Sequence, residues 1–434
     1  MIKLKSNRER IAIVDGLRTP MSKAGGVFKD VEADELGSKL FRELLMRLPF
    51  EMNLFDEIII GNVAQPSHAA NIARVIAIYA GLSRDVPAFT VHRNCASGME
   101  AIAQAMLKIR AGEGDVYLVG GVESMSNIPL LFNKKMTSFF ERLSKSKSIF
   151  QKLATVGSFR LSNLAPIIGI VNGLTDPTCN LIMGKTAENI AKDFKISRKE
   201  QDAFAMRSHN LAEYATKNGI FAQESMSMYS GQVSKMIDSD DGIRDGQSMD
   251  ALGKLKPYFD KPHGTVTVGN SSQITDGACG LVLMSETKAK EMKLKPIGYV
   301  KDFAFAGCDQ TRMGLGPIFS TSKLLDKTGD KLSDFDLIEL NEAFAAQAIG
   351  CMLGFGSQEF FNKHLGGKNA IGSVDFDIVN VNGGAIALGH PVGMTGARLV
   401  LHLAKELRRK NKNKGLATLC IGGGQGCSMI VEAE

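Results

Sequence analysis

Three residues far apart in the chain carry the parts of one chemistry. They are a thiol at Cys95 in Asn94-Cys95-Ala96-Ser97-Gly98, an imidazole at His390 in Gly389-His390-Pro391, and a second thiol at Cys420 in Cys420-Ile421-Gly422-Gly423-Gly424-Gln425-Gly426. A thiol attacks as its thiolate, and an ordinary value of ~8.5 leaves only a few per cent ionised at neutral pH. Cys95 therefore needs help. A helix N-terminus offers partial positive charge and free N–H groups, and an imidazole accepts the proton outright. His390, held on a stiff loop between Gly389 and Pro391, is the candidate base. Taken singly, a cysteine is more often a small core hydrophobe and a histidine in a glycine-rich loop more often structural. The second thiol shifts that balance. A reaction that passes through an acyl-enzyme and also makes or breaks a carbon–carbon bond beside a carbonyl needs a nucleophile and a separate acid/base for the α-carbon. Cys420 can serve as that group, and the glycines after it let backbone approach an acyl oxygen, with the N–H of Gly422 available to an oxyanion. Asn341, in Asn341-Glu342-Ala343-Phe344, admits two readings: an amide that holds a water or a carbonyl oxygen, or the N-cap of a helix over 343–350.

These groups need elements to aim them. Ile11–Val14 and Ile58–Ile60 read as buried strands around a helical stretch at 33–48, the alternation of an α/β domain. Ala88–Val91 leads into Cys95, and strong helix formers follow through Leu107, so the thiol falls at a strand-to-helix turn. The plan returns near the C-terminus. Leu337–Leu340 and Ile378–Val381 read as strands, a helix is expected from about Met394, and Leu416–Cys420 is a strand opening into glycines, as Val116–Gly121 is in the first half. This points to a duplicated α/β unit, with Leu281–Met284 returning as a strand of the first half. The boundaries expected are 1–124 with 265–296 for the N-terminal half, 125–264 for a loop domain laid over the site, and 297–434 for the C-terminal half. Ser230–Asp245, rich in Ser, Asp and Gly, reads as a loop within the middle segment.

The whole chain narrows the classes of function. Its 434 residues and 44% apolar content suit a globular protein with sizeable cores. The stretch Met1–Asn7 has no apolar core of signal-peptide length, and no segment approaches the ~20 apolar residues of a membrane helix, so a cytoplasmic location is expected. Seven scattered cysteines with no paired C-x-x-C spacing argue against a disulfide framework and against a metal site. The net charge of +6 is local: between Lys134 and Arg160 seven basic side chains face Glu141 alone, a surplus equal to that of the whole chain. Without a nucleic-acid-binding motif beside it, this surplus does not make a nucleic-acid binder.

Taken together the motifs resemble the thiolase family, in matching order and over nearly the whole chain. The likeness runs through Asp15–Pro20, Asn94–Gly98, Gly120–Ser126, Gly264–Gly277, Asn341–Phe344, Gly389–Pro391 and Cys420–Gly426. It implies an α/β fold of the thiolase type, five αβαβα layers from two similar halves plus a loop domain. It implies that Cys95 takes the acyl group with His390 as its base, and that Cys420 moves the α-proton of acetyl-CoA or its enolate. Asn341, through a water, and His390 would position the thioester oxygen, the N–H groups of Cys95 and Gly422 would bind an oxyanion, and Ser272 would lie along the pantetheine arm of CoA. Coenzyme A and acyl-CoA would be substrates, with no cofactor and no metal, and the chain would form a homodimer or a dimer of dimers through the nucleophile-bearing half.

The segment Met136–Pro166 resembles the insertion in thiolase subunits of the fatty-acid trifunctional complex, although those subunits usually carry His where this chain has Asn341. Met136, Phe139, Phe140 and Leu143 follow helical spacing among lysines. The expectation for 134–160 is a basic amphipathic segment that docks on an anionic membrane surface or on a hydratase/dehydrogenase α subunit, against the plainer reading of a solvated helix packed on its own subunit. Degradative 3-ketoacyl-CoA cleavage is the leading activity. Biosynthetic condensation of two acetyl-CoA molecules and a non-thiolase condensing enzyme of the same fold are the alternatives, the last disfavoured by the late catalytic cysteine.

Overall fold

The computed structural model describes residues 9–433, so Met1–Asn7 lie outside the described residues. The strands that build the site are β1 (Ile11–Arg18), β2 (Glu57–Gly61), β3 (Ala88–Val91), β4 (Val116–Ser124) and β5 (Thr275–Ser285) in the first half, and β6 (Gly298–Gly307), β7 (Leu337–Leu340), β8 (Lys414–Ile421) and β9 (Gln425–Glu432) in the second. The helices are α1 (Ala33–Met46), α2 (Ile72–Ala80), α3 (Ser97–Ala111), α4 (Lys134–Lys145), α5 (Ile149–Gly157), α6 (Arg198–Lys217), α7 (Gly316–Thr328), α8 (Ala345–Phe355) and α9 (Val392–Arg409).

The halves repeat one pairing scheme. In the first, β1 pairs antiparallel with β5, β5 antiparallel with β4, β4 parallel with β2, and β2 parallel with β3. In the second, β6 pairs antiparallel with β9, β9 antiparallel with β8, and β8 parallel with β7. Three residue pairs, Ile11–Ile13 with Gly298–Val300, join the two sheets.

Period-two alternation sends successive residues of each strand to different layers. Ile11 and Ile13 of β1 share a core with α3 and α9, while Ala12 and Val14 pack against α1 and α2. Ala417, Leu419 and Ile421 of β8 return to the core around α3 and α9, and Leu416 faces α7 and α8 instead. The order α1/α2, first sheet, α3/α9, second sheet, α7/α8 is the expected five-layered α/β arrangement. Both central helices are therefore covered on two sides, and α9 is buried from Gly393 to Ala404. Their approach is backbone on backbone. A Cβ at Gly98 would lie 2.6 Å from the Ala397 amide nitrogen, and one at Gly396 would lie 2.6 Å from that of Met99.

Three local expectations change. Ile378–Val381 does not form a strand: Phe376–Ile378 is a 3-10 turn, and the run makes one parallel bridge, from Val379 to Ile338. Asn380, at φ +47°, turns the chain away, and its side chain takes over the edge pairing, with Oδ1 accepting from Leu340 N–H and Nδ2 donating to Leu340 O. Ser230–Asp245 is not all loop. It carries half of a short ribbon, Met228–Ser230 with Lys235–Ile237, and then Asp240 and Asp241, which clamp Arg18 and the Met21–Lys23 backbone. In α4, Met136 and Phe139 are buried, with Phe139 stacked edge-on against Phe159, so that stripe largely closes the hairpin on itself. The outward apolar surface belongs to α5 and its flanks, where Phe150 is 79% and Leu161 83% exposed.

Replacing a helical glycine by alanine ordinarily stabilises by ~0.5–1 kcal/mol. For Gly396→Ala the expected sign is reversed, a loss of about 1–3 kcal/mol, because the added methyl meets backbone that must shift. Gly157→Ala at the end of α5, where a methyl meets nothing within 4 Å, should keep the ordinary sign. Urea midpoints of the two variants check this, and a stabilised Gly396→Ala would show the helix crossing to be loose.

Candidate active site

Cys95 lies two residues before α3, and His390 lies two residues before α9. Because the helices cross near those ends, with Gly98 packed against Gly393 O and the Ala397 amide, both residues belong to one end of the middle layer. The turn that carries Cys95 is tied internally: Ser97 Oγ accepts from Arg93 N–H and donates to Asn94 O. It is also tied to the other half. Asn94, at φ +44°, donates from Nδ2 to Gly422 O at 2.7 Å, and Arg93 reaches Gln425 Oε1 and stacks over Phe305. These bonds bring the turn after β8 onto the nucleophile. The backbone N–H groups of Gly422 and of Cys95 itself favour the Cys95 thiolate.

Burial raises the Cys95 thiol above its ordinary value, the two N–H groups oppose that rise, and Glu123 adds to it. Cys420, near the end of β8, is fully buried among Met183, Phe259, Met313, Ala343 and Phe344, and burial together with the neighbouring Cys95 pushes its thiol well above the usual range. Both sulfurs are therefore protonated at rest.

His390 is nearly buried, and its tautomer follows from its neighbours. Thr395 Oγ1 lies 2.6 Å from Nδ1 and donates its own proton to Pro391 O at 2.9 Å. A hydroxyl has one proton, so Thr395 must accept from Nδ1–H, which leaves the lone pair on Nε2. Nε2 is buried and has no hydrogen-bond partner among the described residues. Burial first, and then the Arg398 charge, lowers the ring to about 4, so it is neutral and able to accept a proton. Nε2 makes no hydrogen bond to Cys95 in this structure.

Asn341 follows β7 and is fully buried, with neither Oδ1 nor Nδ2 partnered among the described residues. The N-cap reading does not hold, since α8 begins at Ala345 and Gln347 Oε1 accepts from Ala343 N–H there. A buried amide with both ends unmatched costs about 1–3 kcal/mol per group, which a water or an acyl oxygen would offset. Ser272 is half-buried, donates its N–H to Ala343 O and so lies beside the Asn341 segment. The next residue, Gln273, accepts from His390 N–H.

Two buried carboxylates that motif reading left without a role hold these loops. Glu123 accepts from Asn62 Nδ2 and from the N–H groups of Val63, Ala64 and Gly393, joining β4 to the start of α9, and burial pushes it up to about 7. Glu342 accepts from Ser208 Oγ, Asn380 Nδ2 and Ile386 N–H, fixing Asn341 relative to the loop before His390. Their only signal in the sequence was adjacency, Glu123 behind the glycines of β4 and Glu342 behind Asn341.

Comparison with known proteins agrees with this geometry. The family model described as the thiolase N-terminal domain matches residues 11–287, and the thiolase C-terminal domain matches 294–433. A protein of Colwellia psychrerythraea named 3-ketoacyl-CoA thiolase is 40% identical over 430 residues, 99% of this chain and 98% of that protein. One of the same name from Yersinia enterocolitica is 40% identical over 427 residues, 98% of this chain and 97% of that protein. Among solved structures, a Bacillus anthracis acetyl-CoA acetyltransferase superposes with a TM-score of 0.86 at 35% identity, covering 99% of this chain and all of the other. Human mitochondrial 3-ketoacyl-CoA thiolase in complex with CoA gives 0.83 at 32% identity, covering 98% of each chain.

The low position of His390 has a stability consequence with a definite sign. An unfolded-state histidine titrates near its ordinary value of about 6.5, so as pH falls below that the unfolded chain gains a proton that the folded one refuses until about 4. Stability attributable to His390 is intact above that window and declines through it. Between pH 7 and pH 4 the parent should lose about 3 kcal/mol more than His390→Asn, measured by urea unfolding. Parallel stability curves for the two proteins would contradict the neutral buried ring.

Proposed function

The chain belongs to the thiolase family, and on that premise we propose that it is a 3-ketoacyl-CoA thiolase of fatty-acid β-oxidation, cleaving a 3-oxoacyl-CoA with CoA to acetyl-CoA and a shortened acyl-CoA. The observation that carries this reading is the convergence of two thiols from opposite halves, one half-buried under two N–H donors and one fully buried behind it. Cys95 attacks the C3 carbonyl and its proton goes to His390 Nε2. The C2–C3 bond then breaks, its electron pair leaves as the acetyl-CoA enolate, and Cys420 delivers a proton to C2. Asn341, through a water, and His390 hold the thioester oxygen that carries the enolate charge, and the N–H groups of Cys95 and Gly422 hold the oxygen of the Cys95 acyl group. Free CoA, its pantetheine arm along Ser272, attacks the Cys95 thioester; its thiol proton goes to the Cys420 thiolate, and His390 returns the proton on Nε2 to the Cys95 sulfur as the acyl group leaves. Each turnover moves the acyl group from C2 to the Cys95 sulfur and then to the CoA sulfur, a ping-pong sequence with no net oxidation or reduction, so it calls for no metal and no nicotinamide.

Condensation of two acetyl-CoA molecules uses the same groups in reverse, and the Bacillus anthracis acetyltransferase is a structural neighbour. The degradative reading is preferred because relatives matched over almost the whole chain bear the name 3-ketoacyl-CoA thiolase. The half-exposed strand β3, last in the sheet order, supports assembly of a homodimer or a dimer of dimers through the nucleophile-bearing half.

The hairpin of α4 and α5 supports a second reading, peripheral contact with an anionic membrane or a hydratase/dehydrogenase subunit. Ile149, Phe150 and Leu153 stand exposed on α5 beside the 134–160 basic run, an apolar and cationic combination suited to an interface. No helix of the described residues is long and apolar enough to cross a membrane.

Cys95→Ser should leave no acyl-enzyme by mass spectrometry, whereas Cys420→Ala should still acylate Cys95 yet lose at least about 100-fold in thiolysis, the scale of one acid/base group. The parent should prefer 3-oxohexadecanoyl-CoA to acetoacetyl-CoA. Near-normal thiolysis by Cys420→Ala would remove its proton role, and a preference for acetoacetyl-CoA would favour the biosynthetic direction. In flotation with anionic vesicles the parent should rise with the lipid and a variant with Ile149, Phe150 and Leu153 all changed to Ser should not. Equal recovery of both in the soluble fraction would exclude membrane contact.

A further inference from the structure

Beneath the candidate base lies a cation that the reaction does not use. Arg398 follows Thr395 by one turn of α9, so the two share a helix face, and helical side chains lean toward the N-terminus, here toward His390. Its side chain is 1% exposed, and Nε, Nη1 and Nη2 have no hydrogen-bond partner among the described residues. The nearest carboxylate is Glu339 of β7, whose Oε2 is 3.5 Å from Nη1 and is likewise without a hydrogen bond. A guanidinium normally spends its five donors in a fixed fork, and a stability role alone would favour such bonding. Here the charge is buried without a hydrogen bond among the described residues, and the Glu339 carboxylate at 3.5 Å is its one counter-charge within ion-pair distance among them.

The other titratable groups around His390 come from every element packed near it. They are Cys95 before α3, Cys420 on β8, Glu123 of β4 through Gly393, Asp276 of β5 next to the Thr275 that abuts Gly389, and Glu339 of β7. The thiols are held protonated, and the three acids would each favour a charged ring. Arg398 is the cation of this set.

We propose that Arg398 is a positioning residue for the base: its buried, unbonded guanidinium, on the helix face that carries Thr395, adds to burial in disfavouring a second positive charge on the His390 ring, and Glu339 sets how strongly the guanidinium is felt. The lowered value of the ring is consistent with this, as Arg398 acts on His390 while Cys95 responds to Glu123. The consequence is a resting thiol–imidazole pair in place of a thiolate–imidazolium pair. The proton then leaves Cys95 together with attack on the substrate, and an idle nucleophile is shielded from stray electrophiles. This inference rests on the assignment of His390 as the base of Cys95.

The test is the rate at which iodoacetamide alkylates Cys95 as a function of pH. Removing the cation lets the ring accept the thiol proton more readily, so Arg398→Met should raise the rate at pH 7 about tenfold, the effect of about one unit in a neighbouring charge. Glu339→Gln strengthens the net positive field and should lower the rate, and Arg398→Lys should return it to that of the parent. A merely structural role would move Arg398→Met and Glu339→Gln in the same direction, and that result, or no change in either, would overturn the proposal. Should Arg398→Met fail to fold, Glu339→Gln decides alone: a lower rate supports the proposal and an unchanged rate ends it. In a His390→Asn background Arg398→Met should change nothing. If His390→Asn itself alkylates at the parent rate, the base assignment fails first. If it is slow while Arg398→Met in the native background matches the parent, only the role of Arg398 is lost.

Discussion

Two helices packed backbone to backbone between two sheets set the geometry on which every catalytic proposal here depends. Glycines at positions 98 and 396 let α3 and α9 approach more closely than side chains allow, and the sheets on either side prevent them from sliding apart. Because Cys95 and His390 each precede one of these helices by the same two residues, fixing the crossing fixes the relation between the proposed nucleophile and the proposed base. Side-chain bonds then refine it. Asn94 draws the turn after β8 onto Cys95, and Glu123 ties the first turn of α9 to β4. A rigid, largely buried scaffold thus carries residues that lie in loops, which suits chemistry that tolerates little misplacement.

The same burial decides charge states. Desolvation disfavours every ion in the cleft, raising both thiols and the two carboxyls Glu123 and Glu342 and lowering His390. The two thiols and the His390 ring are neutral at rest, and His390 Nε2 and the Asn341 amide have no hydrogen-bond partner among the described residues.

Motif residues and the elements just before them were legible in the sequence because their signals are local. A strand ending in a cysteine followed by helix formers identifies the turn at Cys95, and a strand ending in glycines identifies that at Cys420. What failed depended on partners far along the chain. Ile378–Val381 has the composition of a strand, yet Asn380 enters the left-handed region and spends its amide on Leu340, so the edge closes by a side chain. Asn341 looked equally suited to capping, and the start of α8 at Ala345, with Gln347 Oε1 accepting from the Ala343 N–H, removes that reading. Glu123, Glu342 and Arg398 were silent for the same reason: Glu123 meets Gly393 across 270 residues and Glu342 meets Ser208 across 134. In α4 the apolar period correctly marked a helix, but periodicity does not say which neighbour covers the stripe, and Phe159 of the same hairpin does so.

The duplication also explains why nucleophile and base come from different halves. Asp56 Oδ2 accepts from the N–H groups of Asp115 and Val116 at the start of β4, and Asp336 Oδ2 accepts from those of Asn413 and Lys414 at the start of β8, so the two strands begin alike. Counting from there, Cys420 occupies the place of Val122. By pairing, the bridge from Val379 to Ile338 matches that from Ala88 to Ile58, so α9 stands to the second half as α3 does to the first. Cys95 and His390 are therefore at equivalent positions, each at the positive end of its helix. Packing the halves against each other across those helices brings the two helix starts, and with them Cys95 and His390, to one end of the middle layer. A single α/β unit has one such helix end and cannot oppose two. The second copy supplies the base, and because its β8 ends where the first copy has an inert valine, it supplies the second thiol as well.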